Sequence, residues 1–147
     1  MWIFLDDKRV TTESHNDKRG MGVNFGKSKE WVYARDYKSF CDLLVDNFDD
    51  VELISFDHDI GSWEDIIGHD GELVTEERTG KDAAEFLINY CMDHGKKLPF
   101  WFVHSDNTGG NKNIRSLLIN YMFRVEKSLN SQEDMYGIFM NTIYLDR

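Results

Sequence analysis

Proline and cysteine are scarce in this sequence, and long apolar runs are absent. Its 147 residues include one proline and two cysteines, Cys41 and Cys91. Two cysteines without a zinc-ligand spacing argue against a disulfide framework or a structural metal, so we expect two buried free thiols. No run approaches the ~20 apolar residues of a membrane span, and the run over residues 1–5 is too short for a signal peptide. These absences predict a cytoplasmic protein with no membrane partner.

Basic residues are outnumbered by acidic ones. The chain has 17 lysines and arginines against 27 aspartates and glutamates, which gives a formal net charge of −10 at pH 7. A surface of this sign repels a nucleic-acid backbone and argues against nonspecific DNA binding. It remains compatible with a small phosphate ester, or with one RNA or tRNA end held in a cation-loaded site. The 41% hydrophobic content suits a folded chain, and the length predicts one domain over residues 1–147.

Short apolar runs alternate with helical patterns along the chain. The runs predict buried strands over residues 2–5, 31–34, 51–56 and 100–103, with a weaker pattern for a last strand over 138–145. Apolar residues at helical spacing predict helices over 37–48, 81–94 and 111–128. Two polar stretches predict long loops, a first one over 8–30 and a second, flap-like one over 61–78. This alternation predicts an α/β fold with a mainly parallel five-stranded sheet and helices on both faces.

Polar side chains follow three of the predicted strands at the point where each strand ends. They are Asp6, Asp7, Asp57, His58, Asp59, His104, Ser105 and Asn107. In open parallel sheets the ligand crevice lies beyond the carboxyl ends of the strands, so three separate segments converge on one edge of this sheet. That convergence is stronger evidence for a site than any one motif.

The carboxylates at this edge suit a hard divalent cation. Asp6, Asp7 and Asp57 can supply oxygen ligands to Mg²⁺ or Mn²⁺. The alternative is that some of these residues only cap turns and bond to nearby backbone. Asp59 fits either interpretation, because its side chain can face away from Asp57.

The two strand-end histidines suggest proton transfer. Imidazole titrates near neutral pH, so His58 and His104 are candidates for a general base and a general acid. A lone histidine is more often structural, but two beside carboxylates favour catalysis. Asp57 joins them as a third candidate catalytic residue.

A phosphate-binding element is predicted beside His104. Ser105 and Asn107 precede a glycine turn at Gly110 and a helix, and backbone N–H groups at a helix start bind anions. The spacing is not that of a Walker loop. Arg9 is a further candidate that can bind phosphate bidentately or pair with one of the many acids.

Taken together, these segments resemble the family of cyclic-phosphate processing receiver-like domains. The family patterns L-D-D-x-R, S-x-D-H-D-L-G and H-S-x-N-x-x-G-x-x-N correspond to Leu5–Arg9, Ser55–Gly61 and His104–Asn113, and Thr79–Asp82 matches as well. One departure is Thr11, where the family has proline, and the predicted loop over 61–78 is longer than typical.

The resemblance implies a flavodoxin-like three-layer sandwich, as in response-regulator receivers, and an activity on cyclic phosphates such as 2′,3′-cyclic RNA ends. It implies an active site made of Asp6, Asp7, Asp57, His58, His104, Ser105 and Asn107, and it adds Asn113 as a substrate contact beside Arg9 and Gly110. In ordinary receivers an aspartate at the position of Asp57 takes a phosphoryl group. The lysine that follows the fifth strand in such receivers is not evident, since the chain ends with Asp146 and Arg147.

The leading hypothesis is a metal-assisted phosphoesterase that opens a cyclic phosphodiester, on an RNA end or a cyclic nucleotide. Two alternatives stay open: a receiver-like module that binds a nucleotide or a partner protein without chemistry, and a phosphoacceptor receiver in signalling. Low proline with many Asn, Asp and Lys residues favours a low-GC genome, such as that of a phage or its host. A phage protein would act in the host cytoplasm.

Overall fold

A computed structural model of the chain describes residues 1–9, 31–105 and 107–125. The strands are β1 Trp2–Leu5, β2 Trp31–Ala34, β3 Leu53–Phe56, β4 Ser62–Ile67, β5 Leu73–Arg78 and β6 Phe100–Val103. The helices are α1 Tyr37–Asn47, α2 Gly80–His94 and α3 Thr108–Arg124, with a 3₁₀ turn over Phe48–Asp50. None of the described helices is long and apolar enough to cross a membrane.

Four strands form a parallel sheet in the order β2-β1-β3-β6. The register aligns the last residues of these strands, because Leu5 pairs with Ala34 and Phe56, and Phe56 pairs with Val103. The predicted α/β fold with a mainly parallel sheet is therefore confirmed. The described part of the chain contributes four strands to it. The predicted fifth strand over 138–145 and most of the predicted loop over 8–30 lie outside the described residues.

Unbroken apolar strands fit this sheet, because both of its faces are buried. Ile3 and Leu5 belong to the main core cluster, while Phe4 points to the other face and meets Trp31 and Tyr33 edge to face. The helices α1, α2 and α3 pack side by side in chain order and form one helical layer on the core face of the sheet. Of the helices predicted on both faces, the described residues thus contain those of one face only. Cys41 and Cys91 are free thiols, as predicted, with only Cys91 fully buried.

Local capping sets where the helices begin. Asp36 accepts a hydrogen bond from the Ser39 backbone N–H and starts α1, and the Asp82 carboxylate accepts one from Thr79 N–H at α2. The third helix begins at Thr108, three residues before its predicted start. Asn107 caps it by accepting the N–H of Gly110 at 2.9 Å, so the glycine turn is the first turn of the helix.

The prediction of a polar loop over 61–78 is wrong. This segment is an antiparallel hairpin of β4 and β5, with Ser62 opposite Arg78 and Ile67 opposite Leu73. Gly61 enters it with φ +57° and Gly71 turns it with φ +81°, values that favour glycine. The sequence pattern predicted a loop because most side chains of the hairpin are exposed. Polar residues therefore occupy positions that are apolar in a packed strand.

Candidate functional site

The ends of β1, β3 and β6 meet around one small pocket. Its volume is ≈ 220 Å³, and its lining residues are Asp6, Asp7, Lys8, Arg9, Asp57, Asp59 and Ser105. Ladder hydrogen bonds continue past the strands and fix these segments, from Asp57 N–H to the Leu5 carbonyl and from His104 N–H to the Phe56 carbonyl, each at 2.9 Å. The structure thus brings Asp6, Asp7, Arg9, Asp57 and Ser105 together.

Asp6 is fully buried and is surrounded by donors. Its Oδ1 accepts the backbone N–H groups of Lys8 at 2.9 Å and Arg9 at 2.7 Å. Its Oδ2 lies 2.9 Å from His104 Nε2 and 3.0 Å from Arg9 Nε. Burial by itself raises the pKa of Asp6, but the bond from His104 and the two backbone bonds outweigh it and hold the pKa below its usual range. Asp6 is therefore an ionised anchor for Arg9 and His104.

His104 is buried with both ring nitrogens bonded inside the protein. Nε2 meets Asp6, Nδ1 lies 2.5 Å from Ser55 Oγ, and the ring stacks on Phe4 at 4.2 Å. Burial lowers the pKa of His104, against the opposing effect of the nearby carboxylates. A neutral ring that donates from Nε2 and accepts from the Ser55 hydroxyl satisfies every group. His104 does not line the pocket.

Asp57 forms part of the pocket wall and is only 4% exposed. Its Oδ1 accepts the His58 backbone N–H at 2.8 Å and lies 3.5 Å from the Arg9 guanidinium. Burial raises the pKa of Asp57, and the charge of Asp6 adds to this, while His104, Arg9 and Ser105 act in the opposite direction. A carboxylate with a raised pKa in a cleft is a candidate functional group.

His58 lies beside the pocket, under the first turn of α3. Its Nδ1 is 2.8 Å from Asp59 Oδ1 and 3.3 Å from Asn107 Nδ2. A Cβ on Gly110 would lie 2.3 Å from His58 Cγ, so only glycine leaves room for the ring. No residue in the described part of the chain bonds to Nε2 of His58. Asp59 thus fixes the ring by accepting from Nδ1, Asn107 Nδ2 donates to the Asp59 carboxylate at 3.4 Å, and Nε2 is left for another partner.

The remaining predicted residues divide between the rim and the exterior. Asn107 and Gly110 stand beside His58 rather than in the pocket wall. Asn113 is exposed on α3, whereas Asn111, which the sequence did not single out, donates to the Ser105 carbonyl at 2.7 Å.

Four contributors were not predicted as site residues, although each lies in a segment that matches the family patterns. The sequence already held a signal for Ser55, which is the one polar residue of the run Leu53–Phe56, and for Lys8, which adjoins the acidic pair. Gly80 packs against the Asp57 carbonyl, where its added Cβ would lie 1.7 Å away. No local signal marks this contact or that of Asn111, because it depends on where α2 and α3 begin in space.

The donor set fits a hard cation only in part. In the described part of the chain, Asp6, Asp57 and His104 form a group of three possible ligands, whose ligand atoms lie within 4.8 Å of one another. However, Asp6 and His104 bond to each other, and Arg9 lies against Asp6 and Asp57. Among the described residues nothing bonds to the Asp7 carboxylate. Asp7 and Asp57 both line the pocket, and their carboxylate oxygens are of the kind that Mg²⁺ and Mn²⁺ prefer.

A comparison with protein families gives a match over most of the chain. The family model for the cyclic-phosphate processing receiver domain matches residues 1–120. No curated protein and no solved structure matches the chain.

Proposed function

The chain belongs to the cyclic-phosphate processing receiver domains, and we propose that it hydrolyses a cyclic phosphodiester. The observation that carries the proposal is the pocket at the strand ends. It combines four carboxylates with Lys8, Arg9 and the Ser105 hydroxyl. At ≈ 220 Å³ it is smaller than the roughly 300–1,000 Å³ of pockets that enclose whole ligands. The pocket therefore suits the phosphate group of a substrate whose remainder lies outside.

Each side chain of the pocket has a task in this proposal. Lys8 and Arg9 bind phosphate oxygens, and the Ser105 hydroxyl donates to a third oxygen as negative charge develops. Asp7 and Asp57 hold a divalent cation. When bound, that ion neutralises phosphate charge and lowers the pKa of a water.

Proton transfer is assigned to His58, with Asp59 and Asn107 holding its ring in place. The water oxygen bonds to phosphorus as the bond from phosphorus to the leaving ribose oxygen breaks. Nε2 of His58 gives a proton to that leaving oxygen, and the His58–Asp59 pair regains one from the water. His104, whose two nitrogens are engaged, positions Asp6 and through it Arg9. The two imidazoles thus take different roles.

The test is turnover of 2′,3′-cyclic mononucleotides and of cyclic dinucleotides, with Mg²⁺ or Mn²⁺, followed by ³¹P NMR of the product. We expect a phosphomonoester from at least one substrate, and a loss of about 10²-fold or more in His58→Gln. The matched control is His69→Gln, because His69 is exposed in the hairpin turn. Absence of product from every substrate, with protein shown to be folded, contradicts the proposal.

A phosphoacceptor receiver is the second candidate. It is favoured by the position of Asp57, which follows β3, lies beside the acidic pair and lines the pocket. This function predicts a phosphoryl label from acetyl phosphate that Asp57→Asn abolishes. A binding module without chemistry instead predicts nucleotide binding that survives both His58→Ala and His104→Ala, with no product.

A further inference from the structure

We propose that this site selects a mononucleotide-sized cyclic phosphate over the cyclic phosphate end of an RNA chain. The inference rests on the proposed function and narrows its substrate class. It follows from the sign and the placement of charge at the pocket and at its rim.

The pocket holds no surplus of positive charge. Its wall carries Asp6, Asp7, Asp57 and Asp59 against Lys8 and Arg9. One divalent cation offsets this difference and leaves the wall neutral, so it can accommodate the single negative charge of one cyclic phosphodiester. Further phosphates must then lie on the surface around the pocket.

The hairpin of β4 and β5 stands at that rim. Its first strand begins one residue after Gly61, whose added Cβ would lie 3.2 Å from Asp7 Oδ2. Its second strand ends two residues before Gly80, whose N–H donates to the His58 carbonyl at 2.8 Å. The first end of the hairpin therefore lies close to Asp7, and the second is bonded to the segment that carries Asp57 and His58.

The hairpin is strongly acidic. It carries a single basic residue, Arg78, against the six acids Glu64, Asp65, Asp70, Glu72, Glu76 and Glu77. Arg78 is engaged with Glu64 at 2.9 Å and with Asp82 at 3.8 Å. The side chains of Glu72, Glu76 and Glu77 are exposed and form no ion pair with other described residues.

Two of these exposed charges lie near the base of the hairpin. Glu77 pairs with Trp63 and Glu76 with Glu64, which are the second and third rungs from the base. At about 3.3 Å per residue they lie within roughly 10 Å of the base along the strand. That distance is comparable to the Debye length of about 8 Å at 0.15 M salt and far below the ~30 Å at 0.01 M. An RNA chain would bring one more phosphate per nucleotide into this field.

The experiment compares a 2′,3′-cyclic mononucleotide with a short single-stranded RNA that ends in a 2′,3′-cyclic phosphate. We expect kcat/KM for the RNA to be lower by about tenfold or more at ~0.01 M salt, and the gap to narrow at ~0.15 M. The triple variant Glu72→Gln, Glu76→Gln, Glu77→Gln should raise kcat/KM for the RNA several-fold and leave the mononucleotide value unchanged.

A second triple variant makes the matched control. Asp46→Asn, Asp50→Asn, Asp93→Asn removes the same charge from exposed positions near the ends of α1 and α2, at the opposite edge of the sheet. It should leave both substrates unchanged. RNA turnover equal to or above that of the mononucleotide overturns the inference, and so does an equal gain in both triple variants. Failure of every cyclic phosphate to react instead refutes the proposed function, and the inference with it.

Discussion

Nε2 of His104 donates a hydrogen bond to Oδ2 of Asp6 over 2.9 Å. Asp6 follows β1 and His104 follows β6, and β3 lies between these two strands. The bond therefore crosses the middle strand at the edge where the pocket opens. Ser55 of β3 contacts the other nitrogen of the same ring. One buried imidazole thus links three strands. The ring positions the Asp6 carboxylate, which in turn forms an ion pair with Arg9.

Loss of the His104 ring should destabilise the fold. Replacing it in His104→Ala leaves Asp6 buried with one partner fewer and removes a ring stacked on Phe4. Removing a hydrogen-bond donor from a buried charged group costs roughly 1–3 kcal/mol of unfolding free energy, and the cavity left by the ring adds to this. Urea denaturation measures this cost, and His94→Ala, an exposed histidine of α2, provides the control. A cost below about 1 kcal/mol would contradict the role of His104 in linking the three strands.

The same buried ring predicts a pH dependence of stability. The pKa of His104 is lower in the folded protein than its ordinary value of 6.5, so the unfolded chain binds more protons below that value. Stability should therefore fall as pH decreases through 6.5, and fall further below 3.8, where Asp6 with its lowered pKa begins to contribute. Urea midpoints from pH 8 to pH 5, compared between the parent protein and His104→Gln, measure the first part. An unchanged slope in the variant counts against the assignment.

Asp57→Asn should stabilise the protein at neutral pH. The pKa of Asp57 is raised, so its charged form costs folding free energy above 3.8. An amide keeps the shape of the side chain and removes that cost, so we expect the free energy of unfolding to increase. The gain should shrink as pH approaches 4, and Asp7→Asn should change stability by less than about 0.5 kcal/mol. A lower stability of Asp57→Asn at pH 7 would contradict this, because it would show that the attractions on the charged carboxylate outweigh the cost of burying it.

Two adjacent glycines of α3 should respond in opposite ways to alanine. The Cβ of Gly110→Ala would meet His58 Cγ at 2.3 Å, while that of Gly109→Ala meets nothing closer than 3.7 Å. Gly110→Ala should displace the ring, cost about 1–3 kcal/mol and abolish turnover. Gly109→Ala should be neutral or stabilising by up to ~1 kcal/mol, since alanine favours a helix. Thermal unfolding and a His58 NMR signal compare the two, and equal effects would refute the proposed contact.

Arg9 should compete with a divalent cation for the pocket. Its guanidinium lies 3.0 Å from Asp6 and 3.5 Å from Asp57. Removing it in Arg9→Ala should tighten Mn²⁺ binding by about tenfold, because a cation no longer faces a positive charge across a few ångströms. Electron paramagnetic resonance of free Mn²⁺ measures binding without any substrate. Lys8→Ala removes the same charge from an exposed side chain and should have a smaller effect. Weaker binding to Arg9→Ala contradicts the competition.

The sequence predicted most of the described strands, because each strand is specified by the residues of its own short segment. The runs Trp2–Leu5, Trp31–Ala34 and Phe100–Val103 are apolar throughout and became strands of the parallel sheet, in which apolar runs are favoured because both faces can be covered. The sequence did not predict the hairpin over 62–78. Its strands pair with each other and are held at their base by Arg78, so their polar side chains stay exposed and no cost of burying them arises.

By itself, the sequence determined that carboxylates, imidazoles and a glycine turn would gather at one sheet edge, because parallel strands place their carboxyl ends together. Only the tertiary structure decided how these groups are paired. The partners of His104 are 49 and 98 residues away in the chain, and the ring of His58 fits only because Gly110 lies against it in the first turn of α3. No local pattern encodes such contacts, since they depend on the relative positions of elements distant in the chain. The two histidines look alike in sequence, yet burial of one and the open nitrogen of the other set them apart.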